Sequence, residues 1–381
     1  MADSDFREML SAARLYEAAQ RFYSAVPRRF FASGRAFPAW HYIFEMTRRC
    51  NLRCRMCQYL DFLENTPAGA QKDGELTTEE WLRVISQCHR FCLVTFTGGE
   101  PLLRKDIGEL LESASRRCRT HVITNATLLT EERAAQLAAL APRRMGGLGL
   151  NFVGTSIEAP GGLHDEIRSM KGAFERTMAG MAALRAARTA ARKACPRIHV
   201  TTVLQQANVH ILHEMPRVAA EAGADVLNLV TETRMHDLPG LGEVDPASFR
   251  PGDLSWPRID PKQLAEALDR TRDAARDAGV ALRLPRMPVS ELIRYYDTGI
   301  RLADYTCRNA WNTMFIGRQG AAYSCWIKRV GNVREQTLQE LWNNPEMRAF
   351  RQTCRTRLFA MCPGCCFLEH KTMRVPEGDG E

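Results

Sequence analysis

The run CNLRCRMC sets Cys50, Cys54 and Cys57 with three and then two residues between them, so one short loop presents three thiols. Soft sulfur ligands suit iron-sulfur chemistry, and three thiolates hold three irons of a cubane. The fourth iron is then left without a protein ligand, and an open position is what separates a catalytic metal site from a structural one. A structural site wants a fourth ligand close by, and neither Cys nor His follows Cys57 within thirty residues. A zinc knuckle is the structural alternative. Six further cysteines fall between Cys307 and Cys366, namely Cys307, Cys325, Cys354 and the cluster Cys362, Cys365 and Cys366. Clustered cysteines in a chain that stays reduced mean metal or catalysis rather than disulfides. Spacing alone leaves zinc and iron both open for this second group. Cys88, Cys92, Cys118 and Cys195 stand singly and read as small buried hydrophobes.

The elements that carry these residues alternate. HYIFEM (41–46) is an apolar strand running straight into Cys50, and 92–97, 120–124, 148–157, 197–204 and 225–230 read as further strands. Helical patterns at 130–140, 172–190 and 208–222 separate them, and Thr77 with Glu80 forms a capping box before another. Six such units predict an α/β fold, a parallel sheet curled into a partial (β/α)6 barrel with its site at the C-terminal strand ends. An open doubly wound sheet is the alternative. A helix over 260–278 and a strand over 280–284 precede the second cysteine group. The expected division is a helical extension (1–38), a barrel (39–285), a small cysteine-rich domain (286–375) and a disordered tail (376–381). The Pro-, Gly- and Asp-rich stretch 236–257 reads as an inserted loop near the substrate mouth, with a long linker as the alternative.

Composition sets limits. With 381 residues, 45% hydrophobic and 25% charged, the chain is that of a globular protein, and no apolar run reaches the roughly 20 residues that span a bilayer. The first thirty residues lack the apolar core and cleavage site of a signal peptide, which points to the cytoplasm and to no membrane partner. The net charge of +8 comes from arginines interleaved with acids, which describes a solvated surface and argues against a nucleic-acid partner.

Cys50, Cys54 and Cys57 after the first strand, with TGGEP (Thr97 to Pro101) ending the second, make the sequence resemble the radical S-adenosylmethionine (SAM) superfamily. The resemblance implies a SAM-binding 4Fe-4S cluster on the three cysteines and reductive cleavage of SAM to a 5′-deoxyadenosyl radical. It also implies SAM contacts: Met56 against adenine where the family has an aromatic residue, and Gly98, Gly99 and Glu100 at the SAM amino group. Asn125 stands in the family's Thr-Asn-Gly position, with Ala126 replacing the glycine; Ser156 would meet the ribose or carboxylate, and Arg168 the carboxylate. Glu158 is a further candidate. No residue is assigned a catalytic role on the substrate.

The order Cys307, Gly320, Cys325 and then a CPGC pair resembles the SPASM and twitch domains of that superfamily, in which a hairpin bearing the glycine opens an auxiliary site. Two clusters need eight cysteines, and six are present, so one auxiliary 4Fe-4S cluster is expected on Cys307, Cys325, Cys362 and Cys365, with Cys354 and Cys366 as substitutes. A zinc ribbon is the alternative. The expected reaction is hydrogen abstraction from a small natural-product precursor, leading to dehydrogenation or epimerisation, with flavodoxin or ferredoxin as external electron donor. Only 49 residues precede Cys50, little room for a leader-binding domain, so a peptide substrate ranks second. A noncatalytic iron-sulfur or zinc redox sensor is the reading from another class.

Overall fold

The computed structural model describes residues 3–233, 245–250 and 256–373, so the tail 376–381 and most of the loop expected at 236–257 lie outside the described residues. Helix α1 (Asp3–Phe30) leads into β1 (His41–Thr47), α2 (Leu60–Asn65), α3 (Thr78–Ser86), β2 (Leu93–Gly98), α4 (Ile107–Arg117), β3 (Arg119–Thr124) and α5 (Glu131–Leu140). Then come β4 (Gly149–Ser156), α6 (Gly161–Arg168), α7 (Ala173–Ala190), β5 (Arg197–Leu204), α8 (Met215–Glu221), β6 (Val226–Thr231), α9 (Pro261–Ala278) and β7 (Ala281–Arg283). The C-terminal region holds α10 (Val289–Asp297), β8 (Tyr305–Cys307), β9 (Thr313–Ile316), β10 (Ala321–Cys325), β11 (Lys328–Asn332), α11 (Leu338–Trp342), α12 (Pro345–Thr356) and β12 (Leu368–His370).

Strands β1 to β7 pair in parallel and in sequence order. A doubly wound sheet reverses its order partway, and this one never does. Right-handed crossovers that all step the same way keep the helices on one face, so the sheet curls around the other as a partial barrel. Strand β5 shows the two faces in its alternation: Ile198, Val200, Thr202 and Leu204 are buried, while Arg197, His199, Thr201 and Val203 are half-buried. The expected capping box is present, with Thr77 and Glu80 satisfying each other's backbone amides at the start of α3. Strand β9 adds in parallel to the free side of β1, and the antiparallel hairpin β9–β10 continues through β11 to make ten strands. The sheet therefore runs across the division expected at residue 285.

Three histidines lie toward the N-terminal ends of the strands. His41 Nε2 is 2.8 Å from Thr95 Oγ1, which is 3.2 Å from His121 Nδ1, and Phe152 stands between the rings of His121 and His199. Burial pushes all three pKa values down, to about 3 for His41, about 4 for His121 and about 3 for His199. Each stays neutral in the folded chain but takes a proton near pH 6.5 when unfolded. Stability is therefore complete above pH 6.5 and falls as pH drops toward 4, by about 1.4 kcal/mol per pH unit for each histidine. Urea melts between pH 7 and 4.5 should show a slope smaller by about one proton in His121→Asn, and an unchanged slope would refute the assignment.

Candidate active site

The loop after β1 is shaped by the end of β2. Gly99 N donates to Thr47 O at 2.8 Å and Glu100 N to Arg49 O at 2.8 Å, which pins the start of the cysteine loop. A side chain at Gly99 would meet the carbonyl oxygens of Arg49 and, at 2.6 Å, of Arg48; one at Gly98, whose φ is +133°, would strike Thr47 O. These glycines are thus required by the chain's own backbone, a reason the motif's resemblance did not supply. Gly99→Ala should displace the loop at a cost of about 2–3 kcal/mol. Anaerobic reconstitution of that variant should then return a folded chain with the site's iron missing.

Cys50, Cys54 and Cys57 pack together against Leu52, Met56, Met170 and Ala173. Leu52 N lies 3.4 Å from Cys50 Sγ, Tyr59 N 3.4 Å from Cys57 Sγ, and Arg168 Nη1 3.4 Å from Cys54 Sγ. Each sulfur thus faces a donor that favours its anionic form. Burial still pushes Cys50 up to about 12 and raises Cys57, so without a metal these groups remain thiols. Asn125 Nδ2 approaches Cys50 Sγ at 3.9 Å and donates to Asn51 Oδ1 at 2.9 Å.

Glu100 is fully buried, and its two oxygens accept from Leu102 N, Thr124 Oγ1 and Asn125 N at 2.8 to 2.9 Å. Its carboxylate ties the ends of β2 and β3 together. Arg168 Nη2 is 2.5 Å from Glu158 Oε1, and Glu158 Oε2 accepts from Val203 N at 2.8 Å. Burial lowers the Arg168 pKa, but Glu158 and Cys54 outweigh it and hold the guanidinium charged. Arg168 Nε is buried without a hydrogen-bond partner in the structure, a donor left over beside the cysteines. Ser156 ends β4, half-buried, on the same edge of the sheet, and Met56 is half-buried in the cysteine loop.

The second group converges as well. Cys307, Cys325, Cys362 and Cys365 line one cavity together with Ile327, Met361, Phe367 and Leu368. Cys354, buried on α12, and Cys366, exposed, are not among the residues lining it. Burial is the largest cause raising the thiol pKa of Cys307, Cys325 and Cys362; that of Cys365 is raised first by the hydrogen bond to Cys366 and then by burial. Gly320, at φ +87°, makes the turn between β9 and β10 that brings Cys325 back to Cys307. Sequence reading missed a third grouping: Cys92 is within hydrogen-bonding reach of both Cys88 and Cys118, all three buried between α3, β2 and α4. Contact across three elements leaves no signal in spacing.

The sequence matches the radical SAM superfamily over residues 44–204 and an iron-sulfur cluster-binding domain, SPASM, over 307–366. An AdoMet-dependent heme synthase of Methanosarcina barkeri is 28% identical over 321 residues, covering 80% of this chain and 82% of that protein. The PqqA peptide cyclase of Rhodopseudomonas palustris is 31% identical over 191 residues, 49% of this chain and 45% of its own. SuiB of Streptococcus suis, solved with bound SAM, superposes with a TM-score of 0.59 at 17% identity, covering 92% of this chain and 78% of SuiB. Among the described residues no helix is long and apolar enough to cross a membrane. The chain carries a radical SAM domain followed by a C-terminal SPASM iron-sulfur domain, and its cofactors are SAM, the 4Fe-4S cluster that cleaves it and an auxiliary cluster.

Proposed function

We propose that Cys50, Cys54 and Cys57 hold the SAM-cleaving cluster, that Cys307, Cys325, Cys362 and Cys365 hold the auxiliary one, and that the enzyme oxidises a small organic molecule. The observation that carries this reading is the single cavity shared by those four C-terminal cysteines. It lies at the working edge of the barrel: Thr231 Oγ1, at the end of β6, donates to Gly364 O at 2.7 Å, and Tyr295 Oη to Glu232 O at 2.5 Å. A cluster held by all four thiolates would have no vacant iron for substrate and would supply electron transfer.

A cluster held by Cys50, Cys54 and Cys57 would supply the one-electron reduction that cleaves SAM and so provide the hydrogen-abstracting radical. The chain's own residues do the rest. Arg168 Nε offers its unused N–H to the SAM carboxylate, Glu158 keeps that guanidinium charged, and Met56 packs on adenine. Glu100 holds Asn125 and the β2 end in register, and Ser156 offers a hydroxyl from β4. A cluster held by Cys307, Cys325, Cys362 and Cys365 would supply the one-electron acceptor that the oxidation needs, with the substrate's proton going to solvent. Flavodoxin or ferredoxin would prime the first electron.

Similarity to a heme synthase over four-fifths of both chains supports a small-molecule substrate and makes iron porphyrins the first class to try. The PqqA peptide cyclase match, over half of this chain, favours a peptide as the second reading. The test is 5′-deoxyadenosine formation by the anaerobically reconstituted chain with SAM and reductant, with iron porphyrins and short peptides added in turn. Stimulation of at least about tenfold by a small molecule, with loss of hydrogen from it, is expected. A response to peptides alone would replace this reading with the second.

A further inference from the structure

Asn309 is among the residues lining the four-cysteine cavity, is 5% exposed, and has neither side-chain Nδ2 nor Oδ1 paired. Its own backbone N–H lies 3.4 Å from Cys307 Sγ. A buried amide left unpaired costs about 1–3 kcal/mol, so its presence implies a partner that the cavity receives. On the outer side, Arg28 in the last turn of α1 lays its guanidinium 5.7 Å over the Trp311 ring, and its Nε is buried without a partner. Its neighbours Arg21 and Arg308 both pair with Glu369, whereas among the described residues no carboxylate pairs with Arg28. Burial lowers the Arg28 pKa, and the groups that favour its charge are the sulfurs of Cys307 and Cys354.

We propose that Asn309 and Arg28 set the reduction potential of the auxiliary cluster, the amide by an N–H···S hydrogen bond inside the cavity and the guanidinium by its charge just outside it. The inference rests on Cys307, Cys325, Cys362 and Cys365 being the ligands. A cubane on four thiolates is anionic, and reduction adds one more negative charge. A nearby cation and an N–H donor therefore stabilise the reduced form more than the oxidised one and raise the potential. This poises the cluster to accept an electron from a substrate radical. Both residues are positioning residues, touching the cluster's field and not the substrate.

The experiment is an EPR-monitored redox titration of the full-length holoenzyme with SAM, following the signal that persists in Cys54→Ala. Asn309→Leu keeps the shape and removes the amide, Arg28→Gln removes the charge, and Arg28→Lys keeps it. The Leu and Gln variants should each reduce about tenfold less cluster at a fixed potential, a fall of about 59 mV for one electron, and Lys should restore the wild-type value. Unshifted potentials in both, or equal shifts in Gln and Lys, would overturn the proposal. Should Asn309→Leu fail to hold the cluster, the two Arg28 variants decide it. Survival of the auxiliary signal in Cys307→Ala would mean that the ligand assignment has failed and not the tuning.

Discussion

Cys54→Ala should lower 5′-deoxyadenosine formation by about a thousandfold or more, and anaerobic reconstitution should give about four irons per chain where the wild type gives about eight. Cys54 is the deepest of the three loop cysteines and the one that Arg168 addresses, at 3.4 Å. Removing its sulfur takes away one iron's anchor while Glu158 still holds Arg168, so the barrel edge keeps its shape. The fold should be intact by circular dichroism, with the auxiliary signal present. Cys195→Ala, a buried cysteine remote from both groups, serves as the control and should load iron fully. Wild-type iron content and turnover in Cys54→Ala would refute the reading of the loop as a cubane site.

The largest effect on stability is expected from Arg351→Met. Arg351 lies fully buried on α12, where its Nε donates to Ala310 O at 2.7 Å and its Nη1 to Gly34 O at 3.2 Å and Asn343 Oδ1 at 2.9 Å. Its guanidinium also stacks 4.2 Å from the Trp342 ring centre. One side chain thus ties together the segment after α1, the segment between β8 and β9, and the start of α12. Methionine fills the volume but leaves the carbonyls of Ala310 and Gly34 buried without donors, at about 1–3 kcal/mol each, so a loss of about 3–5 kcal/mol is expected in urea unfolding. Arg351→Lys should recover only part of it, since a single ammonium does not match the guanidinium fork. A loss under about 1 kcal/mol for methionine would show that the fork is dispensable.

The barrel strands were legible because each is a short apolar run bounded by breakers, and their observed ends fall within a residue or two of the expected ones. Helices α4, α6 and α10 were not. Helix α6 opens on two glycines and spans Gly161–Arg168, and α4 carries Gly108 near its start, so local preference spoke against helix where packing imposes it. The site was legible as a set of residue types, yet not as a set of partners. Glu100 was recognisable in its motif, but its bonds to Leu102, Thr124 and Asn125 depend on β2 and β3 lying side by side. Arg351, Asn309 and the Cys88, Cys92 and Cys118 grouping had no sequence signal at all, because what distinguishes them is burial among elements distant in the chain.

Strand β1 is bonded to β2 on one side and to β9 on the other, through the pairs His41↔Thr313, Tyr42↔Met314, Ile43↔Phe315 and Phe44↔Ile316. The C-terminal region is therefore not a bead that recombination can exchange freely between relatives. A chimera that imported another such region would have to keep this register, or leave the root of the cysteine loop as a bare sheet edge open to pairing with other chains. Inheritance of the two parts is tied together by one strand's backbone, so their sequences are expected to have diversified as a unit.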